Sequence, residues 1–128
     1  VEGERLPIYH TNVMMCLTEA LAIICLESID DLKEQEKVVH YLESTGKKII
    51  TISEKQVANF AGNMLSLHNT VGDKFLVMSA SANKSLLPEQ EETIKKHYKI
   101  LSSPLETIEA LGGGSARCMM AEVFLPRK

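Results

Sequence analysis

A cysteine, Cys118, stands behind three glycines, Gly112 to Gly114, in the stretch GGGSARCMMAEVFLP. A thiolate is a strong nucleophile, and glycine lets a backbone bend sharply or approach a bound group closely. At the other end of the chain, His10-Thr11-Asn12 offers an imidazole, the common proton-transfer group, two residues from a carboxamide. Asn12 precedes the apolar run VMMCL, Asn63 precedes MLSL and Cys118 precedes MMAEVF. Asn63 follows Asn12 by 51 residues, and Cys118 follows Asn63 by 55. Near-regular spacing of polar residues at strand entrances is the mark of a repeated unit whose equivalent ends meet in one place. Thiol, imidazole and amides then suit nucleophilic attack with general acid/base help. Taken alone, Cys118 reads equally as a small apolar residue at a strand start, and His10 as a loop histidine.

The elements that would position these groups run in a repeating order. NVMMCLTEALAIICLESI reads as two strands turning near Thr18 and Glu19. DDLKEQEKVVHYLESTG places Leu32, Val38, Val39 and Leu42 on one helical face and stops at Gly46. KKIITIS is a short β-branched strand, and Ser53 with Gln56 forms a capping box over a short helix. NMLSLHNTVGDKFLVMSAS gives a second strand pair turning at Val71-Gly72-Asp73. LPEQEETIKKHY is a helix with Pro88 in its first turn, KILSS a strand, and SPLETIEALG a helix capped by Ser103 with Glu106 and opened by Pro104. The order strand, strand, helix, strand, short helix thus occurs twice, near residues 12–62 and 63–117, and a final strand follows Cys118. Against the first copy, the second carries five extra residues, Gly113 to Arg117, directly before its thiol. Asn63 reads as closing the turn into its strand.

Composition narrows the rest. The chain has 128 residues, so a single domain is expected, and 45% hydrophobic residues suffice for a core. A net charge of −3 argues against a nucleic-acid partner, which requires clustered Lys and Arg. The longest apolar run, Ala20 to Leu26, is far short of a membrane span. Cys16, Cys25 and Cys118 are odd in number and lack metal-ligand spacing, so free thiols, a reducing cytoplasmic compartment and no metal are expected. The glycine stretch lacks the lysine of a phosphate-binding loop. The chain does not begin with Met and is read as a processed or trimmed piece.

YHTNVMMCL, FAGNMLSL, FLVMSASANKSL and GGGSARCMMAEVFLP resemble the C-terminal half of the pentein, or guanidino-group-modifying, superfamily, nearest its arginine-deiminase-related, citrulline-utilisation-type hydrolases. The resemblance implies an α/β fold, a partial five-bladed α/β propeller of repeated ββαβ modules, without a cofactor. It implies Cys118 as nucleophile and His10 as general acid/base on a guanidino or ureido amino acid, with Asn12, Gly113, Gly114, Ser115 and Arg117 binding substrate. The Gly112–Ser115 loop would supply N–H donors. Arg117 would serve as a fork for a substrate carboxylate or stay a solvated surface arginine. Family members are longer, so the chain is expected to lack the N-terminal half of its propeller, including the acid that orients His10. Association of copies at uncovered strand edges is expected on the same ground. Hydrolase, amidinotransferase and non-catalytic binding module are the readings left open. One departure matters: His-x-Asp is common in arginine deiminases, whereas Asn12 is neutral and cannot balance a buried guanidinium. The expected substrate end is therefore a neutral ureido group, as in citrulline.

Overall fold

The computed structural model describes residues 5–126. Its frame is two three-stranded mixed sheets of like order. In the first, β1 (Met15–Leu17) pairs antiparallel with β2 (Leu21–Ile24), and β2 pairs parallel with β3 (Lys48–Thr51). In the second, β4 (Leu65–His68) pairs antiparallel with β5 (Lys74–Ser79), and β5 pairs parallel with β6 (Lys99–Ser103). The parallel pairs need helical crossovers. These are α1 (Leu32–Ser44) in the first unit, and α3 (Ala80–Ser85) with α4 (Pro88–Lys95) in the second. The short helices α2 (Glu54–Val57) and α5 (Glu106–Gly112) follow β3 and β6.

β2 explains why the longest apolar run is a strand. All four of its residues are buried, and side chains alternate between faces. Ile23, with Leu21 and Cys25, faces a core shared with Met64, Leu76, Met78 and Ile94 of the second unit. Ala22 and Ile24 face Leu42 of α1. Asp31 caps α1 by accepting from the N–H groups of Lys33 (2.7 Å) and Glu34 (3.4 Å). On that helix Val38 and Leu42 pack inward, whereas Leu32 is exposed.

Two buried glutamines join the units. Gln56 Oε1 accepts from Ser53 N (2.9 Å), completing the expected box, while its Nε2 donates to Ser85 O (2.8 Å) and Gln90 Oε1 (2.7 Å). Gln90 Oε1 also accepts from Leu87 N (2.8 Å), and its Nε2 donates to Thr51 O (2.7 Å). Each amide thus satisfies one helix start and one carbonyl of the other unit.

The second unit departs from expectation in three places. β5 ends at Ser79, whose hydroxyl caps α3 by accepting from Ala82 N (3.1 Å), so Ala80 and Ser81, expected in the strand, open a helix. Ser103 does not cap α5, because it pairs with Ser79 in the sheet; the helix begins at Glu106 after Leu105, and Pro104 precedes it. Among the described residues no strand follows Cys118. A 3-10 turn spans Ala116–Met119, and the residues beyond it pair with no strand among those described, leaving Val123, Phe124 and Leu125 exposed. A strand forms only by pairing with a neighbouring edge, and this segment docks on neither sheet. Among the described residues no helix is long and apolar enough to cross a membrane.

Candidate active site

Three backbone reversals bring the site together. At the first, His10 is extended and leads into a 3-10 turn over Thr11–Val13, closed by Val13 N to His10 O (3.1 Å) and Met14 N to Thr11 O (3.1 Å). Asn12 therefore sits in a turn, with β1 starting only at Met15. At the second, Phe60 takes a left-handed φ of 64° after α2, an uncommon and strained state for a bulky residue. Gly62 then passes so close to the first turn that a Cβ there would lie 2.3 Å from Val13 O. This passage lays Asn63 beside Asn12. At the third, Gly113 (φ 64°) ends α5, and Cys118 N donates to Ser115 O (3.0 Å) as the 3-10 turn closes. A Cβ on Gly114 would lie 3.1 Å from both Cβ and Sγ of Cys118.

The three reversals meet at Asn63. Its Nδ2 donates to Asn12 O (3.2 Å) and to Cys118 Sγ (3.2 Å). Its own backbone N–H closes the preceding turn on Phe60 O (2.9 Å), as expected, and this leaves its side chain to the site. Asn63 is buried, and its Oδ1 has no partner among the described residues. An amide N–H on sulfur is the contact that a thiolate, or an adduct formed on sulfur, would use. The spacing from Asn12 and to Cys118 signalled this role, but asparagine's frequency in turns masked it.

Around that contact lies a cavity of about 80 Å³, with His10, Asn12, Asn63, Gly113, Gly114 and Cys118 in its wall. Tyr9 lines it too; its ring meets the His10 imidazole edge-on at 5.1 Å, and its hydroxyl reaches Gly113 O at 3.5 Å. Cys118 and His10 are exposed. Among the described residues no hydrogen bond links imidazole to thiol, and no carboxylate lines the cavity. Two expected binding residues lie elsewhere. Ser115 is fully buried and donates through Oγ to Glu109 Oε1 (2.7 Å). Arg117, a third of a turn before Cys118, donates through Nη1 to Met64 O (3.3 Å) and faces Cys16, so it is neither a free fork nor a fully solvated side chain. A wider groove of about 750 Å³ runs past Gln56 and Gln90 and holds no thiol or imidazole.

A family model described as N,N dimethylarginine dimethylhydrolase, eukaryotic, matches residues 1–125. The chain belongs to this dimethylarginine dimethylhydrolase family. The match relates it to the pentein guanidino-hydrolases. Among solved structures, the fold is similar to an apo crystal structure of ArgZ, an arginine dihydrolase from the ornithine-ammonia cycle in cyanobacteria, with a TM-score of 0.64 and 20% identity. The alignment covers 86% of this chain and 16% of the ArgZ chain, so the family member described here spans about a sixth of that structure's length. No curated protein matches the chain. In this member of the family, the cavity at Cys118 brings a thiol, an imidazole and two amides to one place.

Proposed function

We propose that this chain is the catalytic portion of a cysteine-dependent hydrolase acting on a C–N bond at the ureido end of an amino acid such as citrulline. The observation that carries the reading is the bond from Asn63 Nδ2 to Cys118 Sγ (3.2 Å) inside a cavity shared with His10 and Asn12. Cys118 Sγ attacks the ureido carbon and a C–S bond forms. The C–N bond then breaks, with His10 giving its proton to the departing nitrogen. Water, deprotonated by His10, attacks the sulfur-bound carbon; the C–S bond breaks and the thiolate returns. A poor, resonance-stabilised electrophile calls for a thiolate where a neutral hydroxyl would be too weak. Asn63 Nδ2 faces the sulfur through which charge passes, and its unpartnered Oδ1 suits an N–H of a bound ureido group. Further ββαβ modules of the same protein would close the propeller and supply the acid that orients His10. Copies of the chain would associate through their uncovered edges.

Neutral lining supports a neutral substrate end. Asn12 and Asn63 are amides, and a buried guanidinium would need a carboxylate to balance it. The test is turnover of citrulline and arginine by the whole protein, followed by ammonia release and product amino acids, with Cys118→Ala and His10→Ala as controls. Faster use of citrulline, lost in both variants, is the expected result. Equal or better use of arginine overturns the substrate assignment, and activity surviving Cys118→Ala overturns the mechanism.

A further inference from the structure

α5 buries none of its residues and has no side-chain cap, yet it carries the loop that delivers Cys118. Among the described residues, its side-chain hydrogen bonds to the body all go to one carboxylate. Glu109 stands in the first turn of α5, where an acid is ordinarily explained by the helix dipole. Here the side chain turns inward instead. Its Oε2 accepts from Ser81 Oγ of α3 (2.9 Å), and its Oε1 accepts from Ser115 Oγ of the glycine loop (2.7 Å). The hydroxyl of Ser79, at the end of β5, faces the same carboxylate. Ser79 and Ser115 are fully buried. Burial pushes the Glu109 carboxyl up, but hydrogen bonds from Ser79, Ser115 and Ser81 outweigh it and hold the group below its usual range.

We propose that Glu109 is a positioning residue for the Cys118 nucleophile, locking the glycine loop to α3 and β5 so that the 3-10 turn carries Sγ against Asn63. The proposal rests on the reading of Cys118 as nucleophile. The transmission path is short. Ser115 is held by Glu109 through its side chain and accepts the Cys118 N–H through its carbonyl (3.0 Å). Gly114, between the αL reversal at Gly113 and Ser115, lies against the thiol itself. Charge-assisted hydrogen bonds from two elements outside the loop therefore set where the sulfur stands. Neither Glu109 nor Ser81 touches the cavity.

The experiment compares two alkylating agents on the full chain. 2-Chloroacetamide has the planar, neutral shape of a ureido end, whereas 2-chloroacetamidine carries the same leaving group on a cationic amidinium; peptide mass mapping reports each rate at Cys118. The ratio of the rates measures fit around the sulfur, which a general loss of stability does not set. Relative to a free thiol, wild type is expected to favour the amide; a preference for the amidine overturns the ureido assignment and leaves the ratio a measure of fit. Glu109→Ala should lower that ratio roughly 10- to 100-fold, the scale of an ångström-size misplacement. Glu109→Gln, which can still accept from Ser115 and donate to Ser81, should restore most of it. If wild type shows the preference and Glu109→Ala keeps it, the positioning role is overturned while the nucleophile reading stands. If wild-type Cys118 shows no preference, the nucleophile reading fails and takes this proposal with it. Should Glu109→Ala not fold by circular dichroism, Ser115→Ala removes one bond only; an unchanged ratio there overturns the proposal equally.

Discussion

The three glycines before Cys118 should respond differently to alanine, and the structure says how. At Gly112 a Cβ would meet only Ile108 Cγ2 at 3.7 Å, an ordinary contact at the end of α5. Gly112→Ala should be neutral or gain about 0.5 kcal/mol through the unfolded chain. At Gly113 nothing lies within 4 Å, but φ is +64°. There the loss is purely one of backbone, roughly 1–2 kcal/mol for an L side chain in the left-handed region. At Gly114 a Cβ would stand 3.1 Å from Cβ and Sγ of Cys118, where ordinary contacts begin near 3.4 Å. Because Sγ can turn aside, stability should fall only about 1 kcal/mol, the low end of overpacking. Turning aside, however, takes Sγ off Asn63 Nδ2, which it now meets at 3.2 Å. A displacement of that kind should slow reaction at the thiol roughly 10- to 100-fold. Urea unfolding measures the first quantity for each variant, and mass-mapped alkylation of Cys118 by 2-chloroacetamide measures the second. The expected pattern is stability lost most at Gly113 and reactivity lost most at Gly114. A Gly114→Ala chain that reacts like wild type, or a Gly112→Ala chain as slow as it, would refute the reasoning.

Two further outcomes concern the frame. Burial pushes the Cys16 thiol from its ordinary 9.0 up to about 11, against the opposing pull of the Arg117 guanidinium. The fold therefore favours the protonated form, and the contribution, about 3 kcal/mol, is fully present below pH 9 and lost as pH rises through 11. Urea unfolding of the chain and of Cys16→Ala across that window should show the wild-type curve falling towards the variant; parallel curves would count against it. Gln56→Leu strips Ser53 N and Ser85 O of their side-chain partner and leaves Gln90 Oε1 with Leu87 N alone, in a buried place. It should lower unfolding free energy by roughly 3 kcal/mol, and a loss under about 1 kcal/mol would mean that these hydrogen bonds do not hold the units together.

Where a signal in the sequence is local and uncontested, the structure follows it. Asp31 caps α1, Gly46 (φ 79°) ends it, Ser53 and Gln56 form their box, and Pro88 opens α4. Ser103 shows the limit. Ser-Pro-Leu-Glu looks like a helix start whether or not a strand claims the serine, and here Ser79 of β5 is its ladder partner. The same competition hid α3, since Ser79 both ends a strand and caps a helix. MMAEVF has strand composition but pairs with no strand among the described residues, and pairing is a property of two segments. The site divides along the same line. His10, Asn12 and Cys118 were legible because repeat spacing fixes where a backbone returns. Which side chains turn inward is decided by partners distant in sequence. Asn63 reaches the sulfur because Gly62 clears Val13 O, and Ser115 leaves the cavity because Glu109 accepts its hydroxyl. Arg117 is drawn off because its Nη1 donates to Met64 O. A glycine-rich insertion thus announces that a loop is remodelled, but the groups that hold it lie outside it, on α3 and α5, and carry no motif of their own.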